Sequence, residues 1–223
     1  MCRCLFLLVG LSLTSLPAQA KENIKLSFGQ YRIFDGADSY GLTPLSVKYS
    51  TSRYKTRLML PYIRRDSGQS GLGNMSVKLS YLTQWQRVFV DFHYRQKLAT
   101  ADEQLTLPVR DKGMSIELSS FLSGGIGFVE LGHTWRKSAH KTHTKRNDGF
   151  YYALGGMYPM KKGFAVGCVF DYKTTALGRL DHSATGLMQY KLDSTTLISA
   201  SLGRGLTDTS PAWLAGLTWS KKY

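Results

Sequence analysis

The sequence predicts an all-β chain: a single transmembrane antiparallel up-and-down β-barrel of about twelve strands, following a cleaved signal peptide. Three observations predict it. Apolar and polar residues alternate with period two through nearly all of the chain after residue 21, connections alternate between tight and long, and the only continuous apolar run lies near the start. Side chains of a strand point alternately to opposite faces, so each segment has one apolar and one polar surface. The clearest hairpin runs from Tyr54 to Tyr81. Tyr54, Thr56, Leu58, Leu60 and Tyr62 oppose Lys55, Arg57 and Met59, and Met75, Val77, Leu79 and Tyr81 oppose Ser76, Lys78 and Ser80. Its loop carries Arg64, Arg65 and Asp66.

The first twenty residues read as a separate unit. Arg3 supplies a positive start, CLFLLVGLSL an apolar core, and Ala18-Gln19-Ala20 a small-x-small cleavage site, so the mature chain is expected to begin at Lys21. Cys2 and Cys4 precede the apolar core, which argues against a lipoprotein, and the core is shorter than the ~20 residues of a spanning helix. Cleavage leaves Cys168 alone, which excludes an intramolecular disulfide. A net charge of +14 calls for an anionic counterpart. An exported chain meets lipopolysaccharide phosphates and acidic solutes, so nucleic acid is not the expected partner.

In chain order, Glu22 to Phe34 is the least regular segment: Ile24, Leu26 and Phe28 give way to Tyr31 and Ile33, a phase change that suggests a bulge near Gly29. Leu45, Val47 and Tyr49 lead through the turn Ser50 to Arg53 into the hairpin above. Val88, Val90, Phe92 and Tyr94 oppose Arg87, Phe89, Asp91, His93 and Arg95. Met114, Ile116 and Leu118 pass through Ser123-Gly124-Gly125 to Val129, Leu131, His133 and Trp135. Tyr152, Leu154 and Tyr158 turn at Pro159 to Gly163 into Phe164, Val166, Cys168, Phe170 and Tyr172. Met188, Tyr190 and Leu192 turn at Asp193-Ser194 into Ile198, Ala200 and Leu202. The last segment, Pro211 to Tyr223, sets Trp213, Ala215, Leu217, Trp219, Lys221 and Tyr223 on one face.

Tight turns therefore follow the even-numbered segments and longer loops the odd-numbered ones. Outer-membrane barrels have this asymmetry, with short periplasmic turns, long outer loops and both termini periplasmic. A soluble antiparallel sandwich alternates too, but favours no side for its long loops. The aromatic C-terminal strand, Pro211 to Tyr223, fits recognition by the barrel-assembly machinery.

The order of motifs adds a resemblance. LMLPYI and SGLGNMSVKLSYL, then VFVDFHYRQKLATADEQL, DKGMSIELSSFL, FVELGHTW and GLTDTSPAWLAGLTWSKKY, resemble the outer-membrane family named for the meta-cleavage pathway of phenol degradation. The resemblance spans nearly the whole mature chain. It implies a barrel and the passage of small, often aromatic or hydrophobic, compounds, since members of the family are commonly described as transporters. Asn74 stands where that family usually has an acidic residue, and Ala99-Thr100-Ala101-Asp102 replaces its usual Pro-Thr-Gly-Asp.

With the apolar rows in lipid, the opposite rows line the lumen: Lys48, Arg57, Lys78, Arg87, Asp91, His93, Arg95, Glu117, Glu130, Asp171, Lys173 and Lys191. In hydrocarbon each would cost several kcal/mol, on the order of 2–4 for a basic residue at the midplane. The basic members cluster on the earlier segments and Glu117, Glu130 and Asp171 on the later ones. This charge separation predicts a passive channel that draws in small anionic solutes, or else a plugged barrel whose charges pair across the lumen. Gly155, Gly167, Gly203 and Gly216 also fall inward and read as bends or close approaches. The loop Arg136 to Asn147 is the most basic stretch and suits lipopolysaccharide phosphates, which keeps a closed adhesive barrel as an alternative. His140 and His143 in it lack a third metal ligand. A lipid hydrolase is the remaining alternative. It needs Ser and His on one face, whereas His182 and Ser183 are consecutive and His133 has Glu130 and Thr134 on the opposite face. Neither an enzyme nor a cofactor is expected.

Overall fold

A computed structural model describes residues 22–35, 38–106, 108–137, 146–161 and 163–223. The expected signal peptide, with Ala18, Ala20 and Lys21, lies outside them. Period-two alternation folds as β1 (Asn23–Asp35), β2 (Asp38–Ser50), β3 (Tyr54–Arg65), β4 (Ser70–Leu72), β5 (Ser76–Trp85), β6 (Val88–Lys97), β7 (Lys112–Leu122), β8 (Gly125–Trp135), β9 (Gly149–Pro159), β10 (Phe164–Thr174), β11 (Leu180–Lys191), β12 (Thr196–Gly205) and β13 (Trp213–Lys222). The three-residue β4 pairs only with the upper part of β3. The other twelve strands form an antiparallel wall in chain order, and β1 returns to pair with β13 from Lys25↔Lys222 to Phe34↔Trp213. The sheet is closed, so it leaves no unpaired edge.

The apolar rows cover the outside. Leu45, Leu58, Leu79, Phe92, Leu118, Leu131, Leu154, Phe170, Leu202 and Leu217 are all exposed there. Aromatic contacts mark both ends of this belt: Tyr54 and Tyr81 at 5.3 Å beside the tight turns, and Tyr152 and Tyr172 stacked at 4.7 Å near the long loops. An apolar band with flanking rings matches a wall immersed in lipid.

Two sequence expectations change. There is no bulge near Gly29, because β1 keeps one offset with each neighbour, although its pairing with β2 skips Gly29 and Gln30. Tyr31 and Ile33 instead face the lumen, 6% and 0% exposed, and pack with Leu214, Tyr40 and Leu42. A Cβ on Gly216 would stand 2.1 Å from the Tyr31 ring, so this glycine is what lets the ring lie flat on the wall. The Tyr31 hydroxyl meets Thr218 Oγ1 at 2.5 Å. The phase change therefore records a switch of apolar partner, from lipid to lumen. The second correction concerns the first connection. Only positions 36 and 37 separate β1 from β2, so the connection after the first strand is short in sequence, while ten or more positions separate the strands joined through 66–75, 98–111 and 136–148 at the same end of the wall.

Phe128, Ala153 and Val169 form a second lumenal cluster with Leu187, and a Cβ on Gly155 would stand 2.7 Å from the Phe128 ring. The inward glycines thus mark close approach. The two stretches where the chain departs from the family pattern also meet in space. Val109 N donates to Asn74 Oδ1 at 3.1 Å, and Thr100 Oγ1 accepts from Met75 N at 2.8 Å and donates to Gly73 O at 3.1 Å. The connection 98–111 is thereby tied onto the segment around β4, with Ala101, Leu105 and Val109 buried.

Candidate functional site

Register converts the scattered inward charges into two ordered rows. Lys222, Lys25, Lys48, Arg57, Lys78 and Arg95 are successive cross-strand partners on β13, β1, β2, β3, β5 and β6. Asp91, Glu117, Glu130, Ala153 and Asp171 are successive partners on β6 to β10. Because barrel strands tilt, each row runs obliquely around the lumen. Charges of the two rows interact: Lys78 with Glu130, Glu117 and Asp91, Glu130 with Arg95, and Lys48 with Asp91.

On the acidic side Asp91 and Glu130 are buried and hydrogen-bonded, while Glu117 and Asp171 are half-buried. Glu130 is 0% exposed and its Oε1 accepts from Ser115 Oγ at 2.6 Å and Tyr151 Oη at 3.1 Å. Asp91 accepts from Lys55 Nζ at 3.0 Å. Asp181, which pattern reading did not single out, is buried between Lys173 Nζ at 3.0 Å and Ser210 Oγ at 2.6 Å. Its signal in the sequence was its even spacing with Ser183 on β11. On the basic side Lys48, Arg57, Lys78 and Arg95 are only half-buried, and Arg57 Nη2 reaches Ser46 Oγ at 3.3 Å.

Two expected lining residues stand at the ends of the wall. Arg87 falls outside β6, in the exposed turn 86–87, because the β5–β6 hairpin closes at Trp85↔Val88. Lys191 ends β11 and is exposed. His93 is buried, its Nδ1 2.9 Å from Ser80 Oγ and its Nε2 3.7 Å from Glu117 Oε2. A serine–histidine–glutamate line thus exists, but the carboxylate stands beyond hydrogen-bond length and the serine is buried, so it suits charge placement better than nucleophilic activation. On the outer face His133 packs on Trp135 at 4.9 Å and His182 on Tyr172 at 4.8 Å, while Ser183 is buried on the opposite face.

The basic loop divides into two parts. Residues 138–145, with His140 and His143, lie outside the described residues. Its ends serve the protein itself. Arg136 donates to the carbonyls of Asn147 at 2.9 Å and Thr175 at 3.1 Å and to that of Thr174, while Arg146 pairs with Asp111 at 2.5 Å. A side chain on Gly149 would collide with the Arg136 guanidinium. Burial, chiefly, holds that guanidinium below its ordinary pKa.

No protein-family model and no curated protein matches the chain. Solved structures do. The chain is similar to an outer membrane channel from Pseudomonas putida F1, with a TM-score of 0.67 and 12% identity over 94% of this chain and 97% of that one. The NanC porin aligns with a TM-score of 0.66 and 9% identity over 89% of this chain and 98% of that one. The KdgM porin in complex with disordered oligogalacturonate gives 0.59 and 9%, over 90% of this chain and 98% of that one. This protein has the fold of outer-membrane porins and channels. At such low identity the likeness establishes the barrel and leaves the lumen to be read from its own residues.

Proposed function

We propose that the chain is an outer-membrane channel of a Gram-negative bacterium that passes small solutes down their gradient and favours anions. The observation that carries this is the basic row from Lys25 to Arg95. Like charges on directly paired residues cost up to about 1 kcal/mol a pair, yet four neighbouring pairs here are both basic. Opposed by the carboxylate row, they create a transverse field that concentrates anions in a low-dielectric passage. A porin with the same fold is known in complex with oligogalacturonate, an acidic saccharide. The resemblance to the phenol-pathway family extends the candidates to small aromatic or hydrophobic compounds.

In this reading residues 1–20 are a signal peptide removed before Lys21, both termini are periplasmic, and the strand from Pro211 to Tyr223 is what the assembly machinery recognises. Planar-bilayer recordings of refolded protein test it. The native barrel should give discrete conductance steps with a reversal potential on the anion side, and the double variant Arg57→Glu with Lys78→Glu should move it toward cations. A native barrel that conducts but ignores this charge reversal would sink the lumen assignment. A barrel without steps would favour the closed reading, for which the two lumenal apolar clusters speak.

A further inference from the structure

Across β13, β1, β2 and β3 the outer wall interrupts its apolar belt with a cluster of polar residues. Arg32, Gly41 and Arg64 are cross-strand partners in one row; Thr43 and Tyr62 are partners two residues nearer the tight turns, with Gln30 two residues before Arg32 on β1. Residues on both sides of each strand register show that these side chains point away from the lumen: Tyr31 and Ile33 face in, and Arg32 and Arg64 are exposed. With Ala215 and Leu217 they line a depression of about 740 Å³, which also reaches Tyr31, Ser201 and Gly216 of the lumenal register. Its floor is open because an added Cβ on Gly41 would meet nothing nearer than 3.8 Å.

Two exposed arginines on the membrane side of a barrel are tolerated only near an interface. Both lie close to the ends of their strands, beside the long connection 66–75. Guanidinium groups there match phosphate oxygens in charge and fork geometry, and the neighbouring amide, hydroxyl and phenol suit a sugar. Asp66 occupies part of this position now. It accepts from both Ser39 and Arg32, and these bonds, that from Ser39 first, hold its carboxyl below the ordinary range.

We propose that this depression binds the phosphorylated sugar headgroup of an outer-leaflet glycolipid, with Arg64 and Arg32 on the phosphate and Gln30, Thr43 and Tyr62 along the sugar. Asp66 competes with the phosphate for Arg32. The site takes its leaflet from the orientation given under the proposed function, and it needs no conducting lumen.

Lipid A retention on the full barrel, refolded and delipidated, tests it by native mass spectrometry, with phosphatidylglycerol as the competing phosphate source. Arg64→Ala and Arg32→Ala should each weaken lipid A retention about tenfold or more, and Lys112→Ala, an exposed basic change on β7, should leave it unaltered. Asp66→Asn should strengthen retention. A purely structural ion pair predicts the reverse, since losing either partner would then act alike. Weakening by Asp66→Asn, equal retention of phosphatidylglycerol, or indifference to Arg64→Ala would each overturn the assignment. Bilayer conductance recorded on the same preparations separates its failure from that of the channel: loss of lipid A binding with normal anion currents refutes the site alone.

Discussion

The two halves of the lumen wall carry opposite charge and are braced by different means. On β6 to β10 Asp91 and Glu130 are sunk into the wall, Glu130 completely buried beneath Ser115 and Tyr151, while Glu117 and Asp171 are half-buried. On β13, β1, β2, β3, β5 and β6 the cations remain half-buried, and an apolar cluster of Tyr31, Ile33 and Leu214 packs beside them on β1 and β13. Under the proposed function, the difference assigns fixed counter-charge to the acidic half and contact with solute to the basic half.

The most damaging way to break that contrast is Glu130→Ala. Removing one partner of a buried charge network costs about 3–5 kcal/mol, which urea unfolding of the barrel in lipid vesicles should read, and surviving channels should become more anion-selective. On the opposite half, Gly216→Ala forces the Tyr31 ring off the wall and should cost about 1–3 kcal/mol as overpacking does. Repeating it in a Tyr31→Ala background should abolish the penalty, because the two residues share one contact.

A third prediction concerns function alone. Lys48→Gln should shift the reversal potential more than Asp171→Asn does; equal and opposite shifts would show that solute meets both halves alike.

The smallest expected effect lies outside both halves. Asp193 Oδ1 accepts from Thr195 N at 2.6 Å, Thr195 Oγ1 at 2.7 Å and Thr196 N at 2.8 Å, bonds that hold its carboxyl far below the usual range, with the Thr195 hydroxyl first among them. A depressed folded pKa means stability present above the unfolded value, roughly pH 4, and lost as pH falls through the folded one. Asp193→Asn should therefore lower resistance to heat slightly and by a constant amount at neutral pH, and the gap should close only in strong acid.

Much of this was legible before any coordinates. Alternation named the lipid-facing rows correctly from Leu45 to Trp219, and it put Arg57, Lys78, Asp91, Arg95, Glu117, Glu130 and Asp171 on the polar side. Pattern alone failed where apolar residues serve two solvents. Tyr31 and Ile33 look like any strand apolar pair, and only Gly216 on a strand at the far end of the chain shows that the ring belongs inside. It failed again at the first loop, since polar, glycine-containing Asp38 to Thr43 is composed like a connection yet is held in the wall by β1 and β3. Arg87 carries the inward parity but lies one residue outside its strand, and parity says nothing about where a wall stops.

By itself the sequence determined which side of each strand meets lipid, because period-two spacing is a local property that survives any choice of partner strand. Closure was decided only by tertiary structure, as was the gathering of lysines and arginines from distant segments into one continuous row opposite the carboxylates. Register between strands is a nonlocal quantity, set by packing of side chains such as Tyr31 against Gly216, and no single segment contains it.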